Sequence, residues 1–219
     1  PFLPIYIWED PGYGHAHAIE VAQVVQGGQV RVFDEIYEQG IITEDLIQAC
    51  MVRPWWKNDN KTLVIDTNYA TQHHGTHSIA EIWAAKPAEL VAMGTKVKLS
   101  DGIERFKSFL KVNPLTGEPG IVFSPRCKGI LSELGAYPNP FDGQTKVYSW
   151  KMDREGNVVG DDPDSKYNDG VSAIIYGLVE KFGLTHTQGN EFFTTKRYDV
   201  VKKKRSPPYF AQAGEYARK

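Results

Sequence analysis

No stretch of the 219 residues approaches the roughly 18–20 consecutive apolar residues that cross a bilayer, so a membrane-spanning helix is excluded. Cysteine is scarce. Cys50 and Cys127 stand alone, with no CxxC spacing, which argues against a disulfide framework or a cysteine zinc site. Both sit in apolar stretches and read as buried thiols of a protein kept in a reducing compartment. No GxxxxGK[ST] occurs, which excludes a P-loop ATPase motor within these residues. The opening PFLPIYIWED has no basic flank before a long apolar segment, so it is not a signal peptide. Lacking an initial Met, the chain reads as a piece of a longer protein. Positive charge is thin through most of it: residues 1–184 carry 17 Lys or Arg against 24 acids, while residues 185–219 carry eight against three. That contrast predicts an acidic folded body over 1–184 and a basic, flexible C-terminal tail over 185–219. Two readings stand for the tail, a solvated terminus or a contact for nucleic acid or an acidic partner.

What is present is a core-forming chain, 41% hydrophobic, with apolar runs at strand and helix periods and no internal repeat. Residues 5–8, 16–25 and 29–37 read as three strands, the last two joined through Gly27-Gly28 as a hairpin. Thr43 then caps a helix that Pro54 stops, and Lys61–Ile65 is a buried strand. A helix over 76–85, a strand over 90–93, a helix over 102–112, a strand over 121–123 and a helix over 125–136 follow. Residues 146–152 and 157–159 flank a turn at Glu155-Gly156, a polar inserted hairpin. The final helix places Val171, Ile174, Ile175, Leu178, Val179 and Phe182 on one apolar face. Three antiparallel strands followed by parallel ones, with helices on both faces, is the ribonuclease-H-like α/β arrangement.

Three aspartates each close or follow an apolar run: Asp10 in IYIWEDPGYG, Asp66 in KTLVIDTNYA, and Asp169 in SKYNDGVSAIIYGL. A strand that ends in Asp delivers the carboxylate to the carboxyl edge of the sheet, where α/β folds build ligand sites. A carboxylate cluster there calls for hard divalent cations and phosphate chemistry. Each aspartate also has a local explanation. Asp10 precedes Pro-Gly as a turn former, Asp66 can open an Asx turn with Asn68, and Asp169 stands where a helix N-cap belongs. Glu9 should face away from Asp10 by strand alternation. His15 or His17 could orient water or phosphate, though polar residues are common at strand edges. His73, His74 and His77 suggest zinc by composition, without the cysteines that usually accompany it. Trp55-Trp56 reads as a core anchor.

DPGYG after the first strand, VIDTNYATQ after the fourth, KLSDGIERFKSFL, SPRCKGILSELGAY and YSWKMDREGNVVGDDPDSKYNDGVSAIIYGL together resemble the nuclease domain of the large terminase subunit of tailed bacteriophages, over roughly residues 4–182. The resemblance implies a ribonuclease-H-like fold and two divalent cations, Mg²⁺ or Mn²⁺. It also implies cleavage of concatemeric double-stranded viral DNA during genome packaging. Carried over by position, Asp10 would bridge both metals, Asp66 would hold one and Asp169 the other. The chain departs from the family pattern in its last helix, where Ser172 stands in place of a second acid. Asp161, Asp162 and Asp164 therefore compete for the third ligand's role.

Lys128, Lys146, Lys151 and Arg154 are the candidate DNA contacts, the last three because a protruding hairpin can reach a groove; as single residues they also read as solvated charges. The resemblance further implies an N-terminal ATPase domain in the same polypeptide, portal and small terminase subunit as partners, and no membrane. It places the protein in the cytoplasm of an infected bacterial host, at the procapsid's packaging motor and absent from the mature virion. Two alternatives remain open: a cellular ribonuclease-H-like resolvase or RNase, and a catalytically silent module that docks DNA or the portal.

Overall fold

β1 (Ile5–Asp10), β2 (Ala16–Val24) and β3 (Val30–Gln39) form an antiparallel meander in which β1 and β2 bury side chains on both faces, so neither face there can be left to water. The computed structural model describes residues 3–184 other than 72, 75, 91, 95, 146 and 165, with the backbone alone at 73, 74, 92, 93, 161 and 162. Lys146 and the 185–219 tail thus lie outside the described residues. After α1 (Thr43–Met51) and a 3₁₀ turn at Pro54–Lys57, β4 (Lys61–Ile65) returns parallel to β1. There follow α2 (Thr67–Ala70), a small hairpin of β5 (His73–His74) and β6 (His77–Ser78), α3 (Ile79–Ala84) and β7 (Ala92–Met93). The remainder is α4 (Leu99–Leu110), β8 (Ile121–Phe123), α5 (Lys128–Glu133), β9 (Trp150–Met152), β10 (Val158–Pro163) and α6 (Asp169–Phe182).

The main sheet is six-stranded, in the order β7-β4-β1-β2-β3-β8. Its meander is antiparallel and its outer pairings are parallel, the mixed sheet that the element order predicts. β8 adds itself parallel to β3 at the far edge, and β9 and β10 pair apart from the main sheet as the inserted hairpin. Helices cover both faces. On one, α1 and α3 bury Leu46, Ile47, Cys50, Ile79 and Trp83 against Ile7, Ile19, Ile36 and Ile65. Trp55 joins this cluster, its indole N–H donating to Asp34 at 2.7 Å. On the other face α4, α5 and α6 bury Ile103, Phe106, Ile130, Ile174 and Leu178 against Trp8, Val32 and Val64.

α6 lies hard against β1. A Cβ added at Gly177 would stand 2.0 Å from the Trp8 ring, so only glycine lets the helix reach this depth. Several boundaries differ from the sequence expectation for local reasons. Ile42, not Thr43, is the cap position of α1, and Thr43 is buried as its first helical residue. α3 starts late because Ser78 and Glu81 form a reciprocal capping box. α5 is trimmed to six residues between Pro125 and Gly135, whose φ is +81°. Cys50 and Cys127 are both free and buried. No described helix is long and apolar enough to cross a membrane.

Candidate active site

Strand register decides which acids meet. Across β1, β2 and β3, Asp10 is level with Ala18 and Tyr37, and Trp8 is level with Glu20 and Glu35. Because side chains alternate, these residues share the face covered by α6, while Glu9 and His17 share the opposite one. The parallel partner β4 sets Ile65 beside Glu9, so the next residue, Asp66, leaves the sheet beside Asp10. α6 then brings its first residue, Asp169, to the same edge. All three are buried: Asp10 is 9% exposed, Asp66 7% and Asp169 4%.

Electrostatics report their proximity. Burial is the largest cause holding Asp10 well above the ordinary carboxylate range, followed by the charges of Asp169, Glu133, Asp66 and Glu9. Burial likewise raises Asp169, opposed by the His15 imidazole and by the N–H groups of Asp169 itself and Ala16. His15 Nδ1–H donates to Asp169 Oδ1 at 2.8 Å, with the ring largely exposed. Asp66 caps α2: its two oxygens take the backbone N–H and side-chain amide of Asn68, both at a long 3.3 Å. Tyr69 and Tyr176 border the same pocket of charge, each raised by burial first and then by Asp10 and Asp66.

The sequence reading missed four residues here. Glu133, fully buried, is pushed up to about 8 chiefly by burial, against the pull of the donors that it accepts. Tyr37 O–H donates to it at 2.7 Å. Glu35 accepts from the N–H groups of Gly129 and Ile130 at 2.8 and 2.7 Å. No donor reaches either oxygen of Glu20, which burial, then Glu35, raise well above the carboxylate range. For Glu20 and Glu35 a signal existed: each is an acid in the inward phase of a central strand.

The other candidates are less concentrated. Asp164 spends its carboxylate on the Lys166 N–H at 3.1 Å. Asp161 and Asp162 lie on β10, with side chains outside the description. Lys128 opens α5, at the end away from Glu133. Lys151 and Arg154 are exposed on the hairpin, whose approach is tied to the site by Tyr148 N–H donating to the Glu133 carbonyl at 2.8 Å. His77 is exposed. His17 is buried and bonds Glu9 at 2.7 Å on the far face, removed from Asp10.

The donor set suits a hard divalent cation: carboxylate oxygens, buried, with no described Lys or Arg paired to any of the three aspartates. As the side chains stand, no three described His, Cys, Asp or Glu groups close around a single metal position. A marked surface depression among the described residues lies elsewhere, at the opposite end of β3, lined by Arg31, Phe33, Glu118 and Phe123 among others. Its shallow, partly charged walls lack the convergent acids of the sheet edge, so it is not taken as the site.

No family model and no curated protein matches the chain. Solved structures do. The nuclease domain of the SPP1 bacteriophage large terminase, solved with bound Mn, superimposes with a TM-score of 0.55 at 13% identity, over 81% of this chain and 86% of that one. The P22 large terminase nuclease domain gives 0.55 at 13%, covering 83% of each. This chain has the large-terminase nuclease fold. The large terminase of a thermophilic bacteriophage matches with a TM-score of 0.58 at 13% identity over 82% of this chain, which spans only 40% of that longer protein. In this chain Asp10 closes β1, Asp66 follows β4 and Asp169 opens α6.

Proposed function

We propose that this chain is a metal-dependent endonuclease that cuts concatemeric double-stranded viral DNA during genome packaging. The observation that carries the reading is the meeting of Asp10, Asp66 and Asp169 at one sheet edge, buried and unpaired by any described Lys or Arg. In a fold shared with terminase nucleases, buried acids that no Lys or Arg partners support a cation site. Asp10, Asp66 and Asp169 would hold two Mg²⁺ or Mn²⁺ ions. Such ions supply charge neutralisation on the phosphate and a hydroxide-like water at neutral pH. The protein's part is to fix the donors: Asp10 by its strand end, Asp66 by its cap on α2, Asp169 by the first turn of α6.

The acidic body argues that grip on DNA comes largely from elsewhere. Lys128, Lys151, Arg154, Lys146 and the basic residues of 185–219 are the local candidates, with the nuclease domain taken as 1–184. An ATPase domain of the same polypeptide, the portal and the small terminase subunit are the remaining partners of this reading. It places the protein in the cytoplasm of the infected host.

A second reading, a silent docking module, draws support from the donors already spent on Asp169 and from the open spacing of the acids. Supercoiled plasmid incubated with Mg²⁺ or Mn²⁺ decides between them. The expected result is cleavage by the parent and none by Asp10→Asn, Asp66→Asn or Asp169→Asn. Cleavage that survives all three substitutions sinks the site assignment, and no cleavage with either metal favours the silent module. A preference for RNA–DNA hybrids or four-way junctions over plain duplex would point to a cellular resolvase or RNase instead.

A further inference from the structure

α6 begins without a local cap. Asn168 at the cap position makes no side-chain hydrogen bond, although this is the 14-residue helix whose first residue is Asp169. The first N–H groups of a helix need acceptors, and those buried here cannot turn to water. Glu133 supplies them from 37 and 38 residues away. Its Oε1 accepts from Gly170 N–H at 3.0 Å and its Oε2 from Val171 N–H at 2.7 Å, a two-pronged clamp on the residues that follow Asp169 directly. Tyr37 O–H adds a third donor at 2.7 Å. Glycine eases the approach: a Cβ at Gly170 would stand 3.3 Å from Glu133 Oε2 and 3.0 Å from Glu20 Oε1, tighter than ordinary contact. The clamp is itself anchored, since Glu35 holds the Gly129 and Ile130 N–H groups of α5 from β3, the strand that also carries Tyr37. One strand thus fixes α5, and the last residue of α5 fixes the start of α6.

We propose that Glu133 is a positioning residue of the active site, its carboxylate clamping the first turn of α6 so that Asp169 is held facing Asp10 and Asp66. This role rests on the metal-site reading given above. Glu133 is close enough for Asp10 to feel its charge, and three donors already turn to its oxygens, so its part here is to hold the helix start.

The test uses Glu133→Gln, which keeps the side-chain volume and replaces one acceptor oxygen with an NH₂ facing the helix N–H groups. Mn²⁺ affinity without DNA, measured by calorimetry, should fall about 10–100-fold, with kcat falling and KM for DNA unchanged. Tyr37→Phe should lower Mn²⁺ affinity in the same direction by a smaller factor. Leu178→Ala, which opens a cavity lower on α6, is the stability control and should leave Mn²⁺ affinity of the folded protein unchanged. Glu133→Gln binding Mn²⁺ as tightly as the parent overturns this role alone, as does Leu178→Ala weakening binding equally. A parent that binds no Mn²⁺ overturns the metal-site reading and this role with it.

Discussion

Glu9 and Asp10 are neighbours on one strand, both acidic and both buried, yet they belong to differently built faces of the sheet. On the α1 and α3 face, Glu9 bonds His17 at 2.7 Å inside an otherwise apolar cluster. On the α6 face, Asp10 meets Asp66, Asp169 and Glu133, with Glu20 and Glu35 further down the same side. No described Lys or Arg pairs with any of these six. Glu9 has a partner of its own for Oε1, while its Oε2 is buried without one. A group of buried acids left without cations stores repulsion that a bound ion can relieve.

The comparison breaks most visibly under paired substitutions. Asp10→Asn should reduce cleavage by more than the ~100-fold typical of losing a supporting residue, while leaving the metal-free protein no less stable, because a neutral amide avoids the charge that burial and the neighbouring acids penalise. Glu9→Gln should do the reverse: cleavage per folded molecule within a few-fold of the parent, but a loss of roughly 1–3 kcal/mol in urea unfolding as the buried pair with His17 is disturbed. Abolished cleavage in Glu9→Gln would erase the distinction between the faces. The next effect is steric. Gly177→Ala pushes a methyl toward the Trp8 ring and should cost about 1–3 kcal/mol, seen as a lower urea midpoint at unchanged slope.

The smallest effect sharpens the electrostatic half of the contrast. Carboxylates raised in the folded state favour folding while protonated. Their contribution is full below the ordinary carboxylate range and is lost as pH rises through the folded value, about 8 for Glu133. The metal-free melting temperature should therefore fall across that window, by about 2–4 °C for each kcal/mol lost. Mn²⁺ should lift the high-pH end, and Glu133→Gln should flatten the slope. A melting temperature that rises across the window would contradict the assigned burial of protonated acids.

Features that repeat at short range were readable in the sequence. The strand ends at Asp10 and Asp66, the Gly27-Gly28 hairpin and the apolar stripe of α6 all follow from local periodicity and turn chemistry. The opposed orientation of Glu9 and Asp10 followed from alternation alone. What escaped was set by distant partners. The pairing of three-residue β8 with the edge of β3 has no local signature, and neither does the reach of Glu133 to the start of α6 or of His15 to Asp169, 154 residues apart. Glu20 and Glu35 were legible in principle, as acids at apolar-phase positions, but their place beneath the site depends on register.

The strands of the main sheet are longest in the middle and shortest at its margins. β2 and β3 run nine and ten residues, whereas the margins are closed by two-residue β7 and three-residue β8. A short margin exposes few unpaired backbone groups, so another chain has little to add itself to. Crowded copies of this protein are thus discouraged from fusing edge to edge through the main sheet.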